Sequence, residues 1–237
     1  AEVAAGYTDA DAFEWVELLN VGERTVELDG VEFGNGIDYV FGAGTLPPGE
    51  RVVVVRDAGA FGMRNPGVVV AGEFALGLAN GGERIELVDR GGVGIMEFSY
   101  GDRLPWPEEA DGGGYSLTLI GDGDSVEVGS WRPSALPGGT PGGSDVVDWD
   151  GDVGLLVYAL EGGIEVGGDG GFLVRWVQRT GADDARVVPE VAGALREWSS
   201  GGVELVAGRS NGDGTRTMTV RVIDPLVRFL RLRVAER

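Results

Sequence analysis

The sequence predicts an all-β chain built as two successive β-sandwich-like domains, the second smaller and carrying one short helix. Three observations carry this prediction. The apolar runs are short, and none approaches the ~18 residues of a membrane span. They alternate with period two or are β-branched throughout, as strands require. Turn chemistry interrupts them at close intervals, with 44 Gly and 10 Pro among 237 residues. The Gly/Pro-rich stretch at 136–145 has no hydrophobic period. It sets the expected boundaries: a first domain at 1–142, an acidic Gly-rich linker at 143–152 and a C-terminal β domain at 153–237.

In chain order, Phe13–Leu19 reads as a strand ending at the turn Asn20-Val21-Gly22. Thr25–Leu28 and Val31–Phe33 flank Asp29-Gly30, a two-residue turn of hairpin type. Leu46-Pro47-Pro48-Gly49 turns the chain into Arg51–Arg56, whose valine run suits a strand buried on both faces. Asp57–Phe61 is expected to form one helical turn. Glu73–Leu78 and Glu83–Asp89 are joined by Ala79-Asn80-Gly81-Gly82, the clearest hairpin signal in the chain. Ile85, Leu87 and Val93 are expected to face inward, with Arg84 and Glu86 outward. Glu97–Tyr100 and Tyr115–Ile120 complete the first set.

The second domain is expected to open with a short helix at Leu155–Leu160. Strands follow at Phe172–Gln178, Arg186–Val191, Val203–Val206, Arg216–Ile223 and Val227–Val234. In the last, Phe229, Arg231 and Arg233 share one face, and Leu230, Leu232 and Val234 the other. Acids elsewhere can pair with that basic stripe locally.

Composition excludes whole mechanisms. The chain has no Cys, no His and, since all 19 basic residues are Arg, no Lys. That removes imidazole bases, thiolate nucleophiles, disulfides, zinc–thiolate sites, Schiff bases and phosphate-binding lysines. Hydrophobic residues at 43% are enough for real cores. The net charge is −20, with 24 acids and 8 Arg in residues 1–140 against 15 acids and 11 Arg in 141–237. Such a surface repels phosphate backbones, so nucleic acid is not an expected partner, whereas hard cations are compatible with it. The N-terminal residues show neither a basic nor an apolar leader region, so a signal segment is expected to be absent from this chain.

An ordered set of short motifs resembles the lamin tail domain in its bacterial form. These are Glu14-Trp15-Val16-Glu17-Leu18-Leu19-Asn20, Leu46-Pro47-Pro48-Gly49-Glu50-Arg51, Asp57…Phe61 and Leu78-Ala79-Asn80-Gly81-Gly82-Glu83-Arg84-Ile85-Glu86-Leu87. Tyr100…Pro105-Trp106-Pro107, Asp111 to Leu117, Trp131-Arg132-Pro133-Ser134 and Gly138 to Gly142 continue it, over about residues 12–142. The resemblance implies an immunoglobulin-like β-sandwich without catalytic residues of its own, in a secreted or cell-surface protein. The second half is more faintly similar to a β module that follows such domains in bacterial surface proteins, through Leu156 to Leu160, Arg196-Glu197-Trp198 and Phe229 to Val234. No activity follows from that similarity.

The individual constellations carry little chemistry. Glu14 and Glu17 lie three apart in a strand, so they point to opposite faces and form no local acid–base pair; Glu17, on the face of Trp15, suits the ordering of a neighbouring backbone. Trp106, held extended between Pro105 and Pro107, is read as a core or loop plug, with sugar stacking as the alternative. Asp148-Trp149-Asp150-Gly151-Asp152 resembles a calcium loop, with Asp148, Asp150 and Asp152 as ligands. Aligned on Tyr158, two further ligands of similar bacterial loops are missing, with Val157 and Val146 in their places and Asp145 one step out of register. A solvated acidic linker is therefore preferred to a calcium site. The runs 121–125 and 211–215 are explained as turns, and Glu108-Glu109-Ala110-Asp111 as a solvated loop.

The expectation is a non-catalytic structural or adhesive module of an extracellular or cell-surface protein, with other protein domains or copies of itself as partners. The alternative is a carbohydrate-binding accessory module.

Overall fold

The computed structural model describes residues 6–121, 123–146, 159–167, 172–195, 197–224 and 226–237. Two compact units divide the chain. Unit 1 comprises Ala1–Asp102, Asp122–Trp131 and Thr140–Ser144; unit 2 comprises Arg103–Gly121, Arg132–Gly139 and Asp145–Arg237. Residues 103–121 and 132–139, expected with the first sandwich, thus take part in unit 2.

Unit 1 contains β1 (Trp15–Leu19), β2 (Val26–Glu27), β3 (Glu32–Asn35), β4 (Thr45–Leu46) and β5 (Arg51–Val55). Helix α1 (Ala58–Arg64), β6 (Gly72–Glu73), β7 (Arg84–Val88) and β8 (Gly94–Ser99) follow. One sheet has the order β1-β5-β6, a second β3-β7-β8, and β2 pairs with β4. The valine run is buried on both faces as its composition predicts. Val54 enters the main core with Leu28, Phe33, Ile37, Phe41, Phe74, Ile85 and Leu87. Val53 and Val55 pack on the other face against Phe61 and Trp15. That second face exists because Asp57 caps α1, its carboxylate accepting from the Ala60 N–H at 2.8 Å. The expected single turn thereby extends to seven residues.

Both expected hairpins in this unit pair differently. Asp29-Gly30 makes a turn, with the Val31 N–H donating to the Leu28 carbonyl. Its flanking strands nevertheless do not pair: β2 joins β4 and β3 joins β7. The stretch from Leu28 to Phe33 instead bonds to the one from Tyr39 to Gly44, as in Leu28 N–H to Gly44 O and Phe33 N–H to Tyr39 O. Likewise β6 runs parallel to β5 while β7 lies between β3 and β8, so Ala79–Gly82 links two sheets. Carboxylates take the place of a ladder here. Glu14 accepts from the Leu78 N–H at 3.0 Å and Glu83 from the Ala79 N–H at 2.8 Å. Gly82, at φ +97°, lies where a Cβ would collide with the Tyr100 carbonyl oxygen. Ile85 and Leu87 are buried as expected, whereas Val93 is 65% exposed, because it sits in a turn closed by the Asp89 carboxylate.

Strand β9 (Leu117–Leu119) pairs with β10 (Trp131–Pro133). The remaining strands are β11 (Leu160–Gly167), β12 (Phe172–Arg179), β13 (Ala185–Ala192), β14 (Val203–Ser210), β15 (Thr215–Val222) and β16 (Phe229–Glu236). The sheet β11-β12-β15-β14 and the pair β13-β16 share one core. Val174, Trp176 and Val220 are buried in it, and Val187, Leu230 and Leu232 pack against them. Leu160 opens β11, where a helix was expected to end; residues 155–158 of that expectation lie outside the described residues. The β14–β15 turn is the Asx chemistry anticipated at 211–215. Asp213 accepts from the Thr215 N–H and hydroxyl, at 3.0 and 2.6 Å.

Candidate functional site

Glu14 and Glu17 are both engaged with backbone, and Glu17 with arginine as well. Glu17 accepts from Arg51 Nε at 3.0 Å and from the Gly142 N–H at 2.6 Å, the backbone-ordering role expected of it. Glu14 binds the loop of Leu78 instead. Burial, foremost, pushes its carboxyl above the usual range, against the pull of the Leu78 N–H. Tyr100 closes the same loop, its hydroxyl lying 2.9 Å from the Glu83 carboxylate and 3.0 Å from the Ala79 carbonyl, which share its one proton. Burial and then the Glu83 carboxylate push that phenol up.

Trp106, the aromatic for which sugar stacking is the alternative, is half-buried, as is Trp198. Trp106 follows the cis Leu104–Pro105 bond, and its N–H closes a turn onto the Arg103 carbonyl. Trp198 donates from its indole to the Leu195 carbonyl and lies beneath the Arg231 guanidinium, 4.2 Å from the ring centroid. The guanidinium thus covers one face of Trp198, the face that stacking on a sugar would need open. Trp131 packs on Phe98 with centroids 4.6 Å apart and donates to the Ser125 carbonyl. Asp148, Asp150 and Asp152 lie outside the described residues. Among the described residues no group of three or more acids could hold a metal ion. Asp145 is committed elsewhere. Both its oxygens accept from Arg132, at 2.9 and 3.0 Å, and one also accepts from the Ala135 N–H.

Two arginines of unit 2, Arg132 buried and Arg216 largely so, meet carboxylates that no local pattern announces. Arg132, 4% exposed, is bracketed by Asp145 and by Asp183, which takes Nε at 2.6 Å and Nη2 at 2.8 Å. Burial opposes its charge, but the two carboxylates overcome that and hold the guanidinium protonated. Burial also raises Asp145, while the Arg132 hydrogen bonds and charge pull it further down, to a net lowering. Arg216 has a poorer partner, Glu109 at 3.3 Å, and burial pushes its guanidinium down. Glu109 Oε2, Arg216 Nε and Ser210 Oγ are buried without a hydrogen bond. The acidic loop expected to be solvated therefore puts Glu109 against the sheet. Separations of 13, 51 and 107 residues left no local signal for either cluster.

The outer face of the β13-β16 pair is the one basic surface that the sequence did signal. Arg231 and Arg233 converge on Glu190, at 2.7 and 2.9 Å, and remain 45% and 47% exposed. Their hydrogen bonds are the foremost reason that the Glu190 carboxyl falls below its ordinary range. Arg186, also exposed, lies on the same face opposite Ala235. At the start of β16 an open groove of about 410 Å³ is lined by Phe172, Ile223, Asp224, Val227, Arg228 and Phe229 among others.

Glu14, Glu17, Asp145 and Glu190 thus hold loops and strands of a β scaffold in place. Residues 1–102 match the family model described as Lamin Tail Domain, and the match assigns that region alone. The match ends short of the span of about 12–142 over which the motifs show their resemblance. No curated protein and no solved structure matches the chain. No helix among the described residues is long and apolar enough to cross a membrane.

Proposed function

We propose that the chain is a non-catalytic structural or adhesive module of a secreted or cell-surface protein, acting through contacts with other protein domains. The observation that carries this reading is the employment of its carboxylates. Glu14, Glu17, Glu83, Asp57 and Asp145 each accept from backbone N–H groups, and Glu17 and Asp145 also from arginine. A general acid or base needs a carboxyl free to meet substrate. These carboxyls position loops instead. The lamin tail match supports the same reading, as the family resemblance implies a sandwich without catalytic residues.

Two measurements test it. Protease treatment of intact cells should remove the chain, and full protection would refute a surface location. Assays with nitrophenyl glycosides and phosphates should show no turnover; turnover abolished by Glu14→Gln would overturn the non-catalytic reading.

A further inference from the structure

The sheet edges of unit 2 are not equivalent. In an antiparallel pair, opposed residues alternate between hydrogen-bonded and non-hydrogen-bonded positions. The Arg237 N–H donates to the Asp184 carbonyl, one step beyond the Ala185↔Glu236 register. Odd residues of β16 and even residues of β13 are thus the bonded set. Val191 agrees: it turns its N–H and carbonyl away from β16 and exchanges both bonds with Ser199, at 2.9 and 3.0 Å. It follows that Leu230, Leu232, Val234 and Glu236 direct their N–H and carbonyl groups to the far edge of β16. No hydrogen bond within the described residues meets them there.

The outer edges of β13, β11 and β14 are blunted. The outward edge of β13 carries Pro189, which has no N–H to offer, and the Val191–Ser199 bridge. β11 shifts register between Glu161 and Glu165, and β14 between Leu205 and Ala207. Bulges and prolines are how sheets discourage pairing with another chain. β16 has neither over its eight residues. Its side chains also specify what can pair. One face is apolar, with Leu230, Leu232 and Val234 against the core. The other holds Arg231 and Arg233, and with Arg186 three arginines face the single Glu190.

We propose that the free edge of β16 docks an extended segment of another protein that alternates acidic and apolar side chains. The inference rests on the adhesive reading and gives it a surface and a partner chemistry. The segment's backbone would bond to Leu230, Leu232, Val234 and Glu236 as an added strand. Its acids would lie beside Arg231 and Arg233, and its apolar residues would extend the row of Leu230, Leu232 and Val234. The groove at the start of β16 reaches Leu230, the first residue of that row. Charge argues against a second copy as the occupant, since symmetric pairing along the strand sets Arg231 of one copy opposite Arg233 of the other.

The test is an NMR titration of the whole chain with a capped octapeptide alternating Glu and Val, beside the same peptide with Lys for Glu. Shift changes should centre on the amides of Leu230, Leu232, Val234 and Glu236, and the Lys peptide should bind at least about tenfold more weakly. In the double variant Arg231→Gln/Arg233→Gln that preference should vanish. Should the variant unfold, the wild type still decides: affinity for the Glu peptide should fall about tenfold from 50 to 500 mM salt. No binding, equal binding of both peptides, or changes centred elsewhere would overturn the proposal. So would a dimer in sedimentation whose β16 amides are protected from exchange. If the edge fails while a surface-located chain shows no turnover, the adhesive reading survives it; turnover sinks that reading whatever the edge does.

Discussion

At the scale of single residues, the buried polar groups separate into well-met and poorly met ones. Asn20 is 7% exposed and fully occupied: its amide donates to the carbonyls of Arg24 and Leu46, both at 2.8 Å, and its oxygen accepts from the Gly22 N–H. Asn20→Ala should cost about 2–3 kcal/mol in urea unfolding, through the carbonyls it leaves unmet. Arg132 and Arg216 form a sharper contrast. Arg132→Met strands two carboxylates and should destabilise by about 3–5 kcal/mol. The Glu109–Arg216 pair, with its long contact and unmet atoms, should behave differently. Glu109→Leu with Arg216→Met should be neutral or stabilising, whereas Arg216→Met alone should destabilise; a double-mutant cycle in denaturant checks both. Glu14 carries a pH signature. Its folded carboxyl is raised, chiefly by burial, so its contribution to stability is present in acid and lost as pH rises through the folded value. Glu14→Gln keeps an acceptor for the Leu78 N–H without the charge. It should match or exceed the wild type at pH 7 and flatten the fall in stability as pH rises above the ordinary carboxylate range.

Elements were legible where their physics is local. The valine run of β5 and the alternation of β16 are intrinsic to a few consecutive residues, and both strands form where expected. Asp29-Gly30 and Ala79–Gly82 were legible as turns but not as to what they join. Turn chemistry depends on four residues, whereas partner choice depends on carboxylates such as Glu14, 64 positions from Leu78. The two glycines of the second turn make this testable. Gly82→Ala drives a Cβ into the Tyr100 carbonyl at positive φ, and thermal unfolding should show a loss of about 1–3 kcal/mol. A Cβ at Gly81 meets nothing within 4 Å, so Gly81→Ala should leave the melting temperature nearly unchanged. Equal losses would mean that the loop lacks the close approach described. The candidate site was legible in part for the same reason. The Arg231/Arg233 stripe shows in the alternation, while the Glu190 that holds it lies 41 residues away.

Over the whole molecule the net charge of −20 governs the response to solvent. Self-repulsion should make salt stabilising, with a melting temperature that rises from 10 to 300 mM and falls only if paired charges dominate. The carboxyls of Asp145, Glu97, Glu190 and Asp213 are all held below their ordinary values. Their contribution is complete above the unfolded values, near pH 4, and is lost as pH falls through the folded ones, so unfolding by acid should begin below about pH 4. The route of the chain has a consequence for anyone cutting it. It passes between its two units at 102/103, 121/122, 131/132, 139/140 and 144/145. An excised piece ending at Asp102, where the family match stops, would lack Trp131 from its seat on Phe98 and Gly142 from Glu17. A gene fragment drawn to the family boundary would thus encode an unfinished object, and the smallest cassette that can be moved intact between proteins is longer than the homology that announces it.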